Sequence, residues 1–161
     1  MRAVSASLAL SMAMVAGVGV LSAQGTKGTD PRVGTWHLNV EKSKYSPGPA
    51  PKSQVLKIEA AGEGETVTSE STPATGAKTV TVYTANFDGK PYPIKGSATA
   101  DTVTLKRIDA NTTERTDSKN GKTVQTFTRV VSKDGKTMTV TIKGTNAEGK
   151  PVSNVVVFEK H

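Results

Sequence analysis

Residues 112–143 read TTERTDSKNGKTVQTFTRVVSKDGKTMTVTIK. An Asn-Gly pair at 120–121 and an Asp-Gly pair at 134–135 divide this stretch into three short segments. Both pairs are typical of tight hairpin turns, because these residues tolerate the left-handed backbone that such turns require. In the third segment, apolar residues and threonines alternate strictly from 138 to 142. The stretch therefore predicts three antiparallel strands, with an apolar face of the sheet directed into a core.

The same combination of β-favouring runs and turn signals extends in both directions. Prolines among residues 41–52 predict an extended loop there, because proline blocks helix and ladder hydrogen bonds. No segment after residue 25 shows a helical period. The predicted strands cover residues 33–40, 55–60, 66–68, 79–87, 91–94, 102–108, 112–117, 123–131, 137–143 and 152–159. We predict an all-β domain, an antiparallel up-and-down β-barrel of about 8–10 strands, with a two-sheet β-sandwich as the alternative.

The first 25 residues have a different composition. Arg2 supplies a positive charge, residues 3–21 are uncharged and mostly small or apolar, and residues 22–25 are small or polar. This layout is typical of a secretory signal peptide, and its apolar run is short for a membrane span. We predict a signal peptide over 1–25 and a single domain over 26–161. The protein is expected to be exported, periplasmic or secreted, without spanning a membrane.

Composition excludes several kinds of site. The chain has no cysteine, which excludes disulfides, thiolate metal sites and a cysteine-linked lipid anchor. Its formal net charge is +7, but its basic residues are scattered, with no run of five. This charge favours solubility or attraction to an anionic envelope surface. The scatter argues against a nucleic-acid partner.

Two short motifs resemble known calycin barrels. Gly34–Trp36 resembles the Gly-x-Trp signature that opens lipocalins and fatty-acid-binding proteins, in which the tryptophan plugs the closed end of the barrel. Residues 156–160 resemble the Arg-x-Tyr-Glu-Lys ending of intracellular fatty-acid-binding proteins. Val156 and Phe158 stand at the positions of the Arg and Tyr that hold the ligand carboxylate in that family. The resemblance thus implies the barrel without that carboxylate site.

The order of motifs along the chain carries a wider resemblance. Gly-Thr-Trp is followed by Leu-Asn, Lys-Ser, a proline loop and Phe-Asp-Gly-Lys-x-Tyr-Pro. This order resembles small exported bacterial lipocalin-like proteins of unassigned function. The resemblance implies a lipocalin-like barrel and export, and it implies no activity.

The sequence offers no catalytic motif. His37 and His161 are the two histidines, and no second histidine lies near either one in sequence to suggest a metal pair. No nucleophile elbow or phosphate-binding loop is present. We therefore predict a protein that is not an enzyme and has no cofactor and no metal.

Two arginines alternate with apolar residues. Arg107 shares a predicted strand face with Val103, and Arg129 shares one with Phe127, although residues 124–130 also offer a rival inward face. Inward arginines can bind an anionic head group through paired hydrogen bonds. Alternatively, both lie near strand ends and extend to the rim.

Four residues are the candidate ligand-binding set: Trp36, Tyr92, Arg107 and Arg129. We predict an exported barrel that binds a small apolar or amphipathic molecule non-covalently. The alternative is a non-catalytic structural or interaction module of the cell envelope with a filled barrel.

Overall fold

A computed structural model describes residues 29–161 as a single sheet of ten strands. They are β1 (Gly34–Lys44), β2 (Ser53–Ala61), β3 (Gly64–Thr72), β4 (Thr79–Asn86), β5 (Tyr92–Lys95), β6 (Thr102–Arg107), β7 (Thr112–Lys119), β8 (Lys122–Val131), β9 (Thr137–Thr145) and β10 (Pro151–Lys160). Each strand pairs antiparallel with the next, and β1 pairs with β10 to close the sheet. The predicted up-and-down β-barrel is confirmed, and the sandwich alternative is wrong. Among these residues, no helix has the length and apolar content needed to cross a bilayer.

The Asn-Gly turn forms as predicted. Asn120 and Gly121 have φ angles of 50° and 74°, both in the left-handed region. This backbone twists with the strands it joins, and Lys119 of β7 faces Lys122 of β8. The hairpin fixes the register of β7 and β8, which carry Arg115 and Arg129.

Two strands are longer than the sequence pattern indicates. β1 continues to Lys44 instead of ending at residue 40, and β3 has nine residues instead of three. Their extensions are rich in Ser, Thr, Glu and Lys, so propensity and hydrophobicity alone give no strand signal. In the closed barrel, β2 and β4 both pair with the extension of β3, and β10 pairs with the extension of β1 at Lys44. Past an irregularity in β1, the Ser43 hydroxyl accepts a hydrogen bond from the Val157 amide at 2.9 Å.

The apolar core fills one half of the barrel. We call the end where β1 begins and β10 ends the closed end, and the other the open end. Burial of each large apolar side chain contributes about 1.5–3 kcal/mol. The buried apolar residues are Trp36, Leu56, Ile58, Val67, Tyr83, Ala85, Ile94, Ala100, Val103, Leu105, Val131, Met138, Val140, Val156 and Phe158.

Trp36 is fully buried at the closed end, the position that the calycin resemblance implies. Its indole Nε1 donates a hydrogen bond to the Arg32 carbonyl at 2.7 Å. The Lys160 ammonium donates to the carbonyls of Pro31 and Val33, at 2.9 and 2.8 Å. These bonds hold residues 30–33 against the end of the barrel and close it.

Candidate functional site

A cavity of about 210 Å³ lies in the half of the barrel toward the open end. Its wall differs in chemistry around the barrel. The β2, β9 and β10 side is apolar, with Leu56, Val140, Ile142, Val156 and Phe158. The β3 and β4 side carries hydroxyl groups, and the β7 and β8 side carries two arginines with a phenylalanine between them. The cavity is therefore amphipathic from one side to the other.

A second hollow of about 430 Å³ lies at the open end. The proline loop, including Pro47 and Pro49, forms part of its wall together with Tyr45. Gln54 and Ser71 line both this hollow and the interior cavity, so the two spaces adjoin. None of the side chains that line the mouth is charged. The mouth therefore offers an uncharged path between solvent and the arginines.

Arg129 forms a buried ion pair inside the barrel. Its guanidinium contacts Glu65 Oε1 at 2.5 Å, and the Tyr83 hydroxyl donates to the same oxygen at 2.8 Å. All three residues are at most 4% exposed. Burial opposes the charge, but the fields of Tyr83 and Glu65 outweigh it and raise the pKa of Arg129 above its ordinary value. The cavity therefore holds a permanent cation in its wall.

Arg115 forms the second pair, nearer the open end. Its Nε and one terminal nitrogen donate to the two oxygens of Asp117 at 2.6 and 2.7 Å. Its guanidinium carbon also lies 4.0 Å from the centre of the Phe127 ring. This two-point geometry is the strong form of an ion pair. Burial opposes the charge of Arg115, but Asp117 and Tyr83 outweigh it and raise the pKa.

The ion pairs continue to the closed end. Arg32 Nε lies 4.0 Å from Glu65 Oε2, and Arg32 also pairs with Asp30. Asp30 in turn accepts a hydrogen bond from Arg107 at 3.0 Å. With the Arg115–Asp117 pair, the interior and closed end bring four arginines together with three carboxylates. One positive charge is therefore unbalanced within this set.

The structure brings only one of the four predicted ligand residues to the cavity. Arg129 lies in its wall. Trp36 lies at the closed end, and the Tyr92 hydroxyl donates to Asp88 in an exposed turn. Arg107 is at the end of β6, 41% exposed, with its guanidinium 4.4 Å from the centre of the Phe87 ring. The rim position that the sequence left open for Arg107 is the one observed.

Three charged residues of the site were not predicted from the sequence: Glu65, Arg115 and Asp117. Arg115 and Asp117 share the inward face of β7, although residues 112–117 look like a uniformly polar strand. The spacing of two between Arg115 and Asp117 was the available signal, because it places opposite charges on one face. Glu65 gave no such signal, since its partner Arg129 is distant in sequence.

The inward face of β8, left ambiguous by the sequence, contains Phe127 and Arg129. The register shifts between the pairs Asp117–Gln125 and Ser118–Thr123, which leaves Val124 as an extra residue in β8. Val124 lies on the β8 side of this irregularity and packs against the core as well. Strict alternation therefore cannot be read through the bulge at Val124, whereas Val130 lies on the outer face and is 43% exposed.

Tyr45 and Tyr83 make the free energy of unfolding depend on pH at alkaline values. Burial raises the pKa of Tyr45 and Tyr83 from 10.0 to about 12. Because the folded protein holds these protons more tightly than the unfolded chain, the free energy of unfolding should fall as the pH rises from 10 towards 12. Absorbance of tyrosinate from Tyr45 and Tyr83 should then appear well above pH 10 in the folded protein. Tyrosinate formation complete by pH 10.5 would contradict this assignment.

Among residues 29–161, no three or more His, Asp or Glu side chains form a group that could hold a metal ion.

No family model matches the chain, and no curated protein matches it. Among solved structures, zebrafish ileal bile acid-binding protein complexed with cholic acid is similar, with a TM-score of 0.47 and 14% identity. The match covers 81% of this chain and 99% of that chain. The closed sheet of ten consecutive antiparallel strands itself establishes an up-and-down β-barrel, the fold that the calycin resemblance implies.

Proposed function

We propose that the protein is exported and binds a small amphipathic molecule non-covalently inside its barrel. The observation that carries this proposal is the cavity with an apolar wall on β9 and β10 and with Arg115 and Arg129 on another side. The apolar part of the ligand would contact the β9–β10 wall, and its polar part would lie against the arginines. Export rests on residues 1–25, which lie outside the described part of the chain.

The charges favour a polar group that is anionic. Arg129 Nε and Arg32 Nε have no hydrogen-bond partner among the described residues. Arg129 shares its only described carboxylate, Glu65, with Arg32 nearby. A ligand carboxylate or sulfonate beside Arg129 would therefore complete the charge balance without displacing either protein carboxylate. Such charge-assisted hydrogen bonds are stronger than those between neutral groups.

The cavity volume limits the ligand. Sites for drug-sized molecules span about 300–1,000 Å³, and the interior cavity is smaller at about 210 Å³. A ligand that fills it would be small or would extend into the uncharged mouth. The proline loop and Tyr45 would then contact the outer part of the ligand.

We propose binding without catalysis. Glu65 and Asp117, the buried carboxylates beside the cavity, each accept hydrogen bonds from an arginine. Pairing with an arginine favours the ionised form of each carboxylate. A general acid or base must instead exchange a proton with its substrate. The scattered positive charge of the chain also favours contact with an anionic envelope surface, and it forms no stripe of the kind that nucleic acid requires.

A cavity-filling variant tests the site. Ile142→Trp places a large side chain in the cavity wall, and Thr139→Trp places one on the outer face of the same strand. With the anionic amphipathic probe 1-anilinonaphthalene-8-sulfonate, we expect Ile142→Trp to raise the Kd at least about tenfold, or about 1.4 kcal/mol. Thr139→Trp should leave the Kd within about twofold. Equal Kd values for both variants would place the probe outside the barrel and contradict the proposal.

Native mass spectrometry of the protein from its own host would identify the bound molecule. A stoichiometric small molecule released on denaturation supports the carrier function. The filled closed half of the barrel favours the second candidate, a structural or interaction module of the envelope. Neither probe binding nor a co-purified molecule would be expected of that module.

A further inference from the structure

We propose that His37 and His161 form a site on the outer wall of the barrel for a late first-row divalent metal ion, with Cu²⁺ preferred. The centres of the two imidazole rings lie 4.4 Å apart, and the ring planes are inclined at 58°. These are the two histidines of the whole chain. Barrel closure brings them together, because His37 lies on β1 and His161 directly follows β10.

The backbone holds both residues in place. His37 lies within β1, opposite Glu159 of β10. The amide of His161 donates a hydrogen bond to the Thr35 carbonyl at 3.0 Å, which extends the β1–β10 ladder by one residue. His161 is therefore tied to the sheet. Both side chains are exposed, so that their rings can turn toward a common ion.

The ring separation fits chelation by two imidazoles. With metal–nitrogen bonds of about 2.0–2.1 Å and two ligands at about 90°, the ring centres would stand about 4.5 Å apart. An angle near 90° is typical of the tetragonal geometry of Cu²⁺ and Ni²⁺. Affinity for nitrogen ligands rises from Ni²⁺ to Cu²⁺ and falls again at Zn²⁺. The observed distance of 4.4 Å is therefore short enough for both rings to bind one ion, and the affinity order favours Cu²⁺.

Glu159 adds negative charge beside the pair. Lys42 and Asn39 donate to its Oε1 at 2.8 and 3.1 Å, so both bonds fall on one of its two oxygens. Glu159 lies opposite His37 in the β1–β10 register, so its charge favours a cation beside the pair, while water would complete the coordination. This site lies outside the barrel and does not depend on the proposed cavity ligand.

The test uses untagged full-length protein and CuCl₂ in isothermal titration. We expect one Cu²⁺ per chain, with a Kd in the micromolar range. His37→Gln and His161→Gln should each weaken binding at least about tenfold, since each removes one of two ligands. The control is Lys57→Gln, an exposed position on β2 opposite Thr35 that should change the Kd by less than about twofold. Circular dichroism checks that all variants fold.

Electron paramagnetic resonance of the Cu²⁺ complex gives an independent readout. We expect hyperfine structure from two equivalent imidazole nitrogens, and from one nitrogen or none in each single variant. Cu²⁺ binding of unchanged affinity in the double variant His37→Gln/His161→Gln would overturn the proposal, because the ion would then bind elsewhere. Absence of Cu²⁺ binding by the unmodified protein would overturn it as well. Either result leaves the cavity assay unaffected.

Discussion

Glu65→Gln is expected to lower the free energy of unfolding by about 3–5 kcal/mol. Glu65 is 3% exposed and is the carboxylate that pairs with Arg129, itself 4% exposed. Glutamine keeps the size of the side chain but removes its charge. The Arg129 cation would then be buried without a counter-charge, and Arg32 would lose its nearby carboxylate at 4.0 Å. Urea unfolding followed by circular dichroism measures the change.

A second acidic residue provides the matched control. Glu59 pairs with Lys57 at 3.0 Å, but its side chain is 52% exposed. Glu59→Gln should cost at most about 1 kcal/mol, because water already solvates both charges. Similar losses in Glu59→Gln and Glu65→Gln would show that burial does not set the cost. The double variant Glu65→Leu/Arg129→Met should recover part of the stability lost in Glu65→Gln, since it removes Arg129 together with its counter-charge but leaves Arg32 and the Tyr83 hydroxyl without Glu65.

The buried pair explains how a cation is kept in the cavity wall. A lone arginine at 4% exposure would be too costly, so Glu65 stabilises Arg129 in the folded state. Because Glu65 also faces Arg32, its charge is divided between two arginines. Arg129 thus remains under-neutralised and can still attract an anion. The same side chains therefore affect both the stability of the fold and the proposed affinity for the ligand.

The barrel was predictable because its signals are local. The turn at Asn120–Gly121 and the alternation from Met138 to Ile142 depend only on residues that are neighbours in sequence. With tight turns between consecutive strands, antiparallel pairing of neighbours follows. Closure follows in turn, because a long open meander would curl or split. The polar extensions of β1 and β3 were missed because their pairing partners, and not their own residues, make them strands.

The site was less predictable because its partners are distant in sequence. The inward direction of Arg129 was one of two choices at the β8 bulge, and its partner Glu65 lies on β3. Arg107 has the sequence pattern of an inward residue, but β6 ends there, so its side chain reaches Asp30 at the rim instead. The proximity of His37 and His161 likewise depends on closure of β1 against β10. Sequence periodicity gives the face of a residue, whereas these contacts require the register of the whole barrel.

Trp36→Ala should also lower the free energy of unfolding by about 3–5 kcal/mol. Trp36 has 0% exposure, and its removal would leave a hole at the closed end that the rigid strands cannot fill. The Arg32 carbonyl would lose the indole donor at 2.7 Å as well. Because Trp36 is the only tryptophan, unfolding must be followed by circular dichroism and not by tryptophan fluorescence.

Trp36→Phe separates packing from the hydrogen bond. It retains a ring at the closed end and removes the Nε1 donor, so we expect a loss of about 1–3 kcal/mol. Under conditions where both variants are folded, the Kd for the anilinonaphthalene probe should stay within about threefold of the unmodified protein, because Trp36 does not line the cavity. A folded Trp36→Ala that has lost probe binding would instead make Trp36 part of the ligand site. Retained binding at reduced stability would make it the plug that closes the barrel beneath that site.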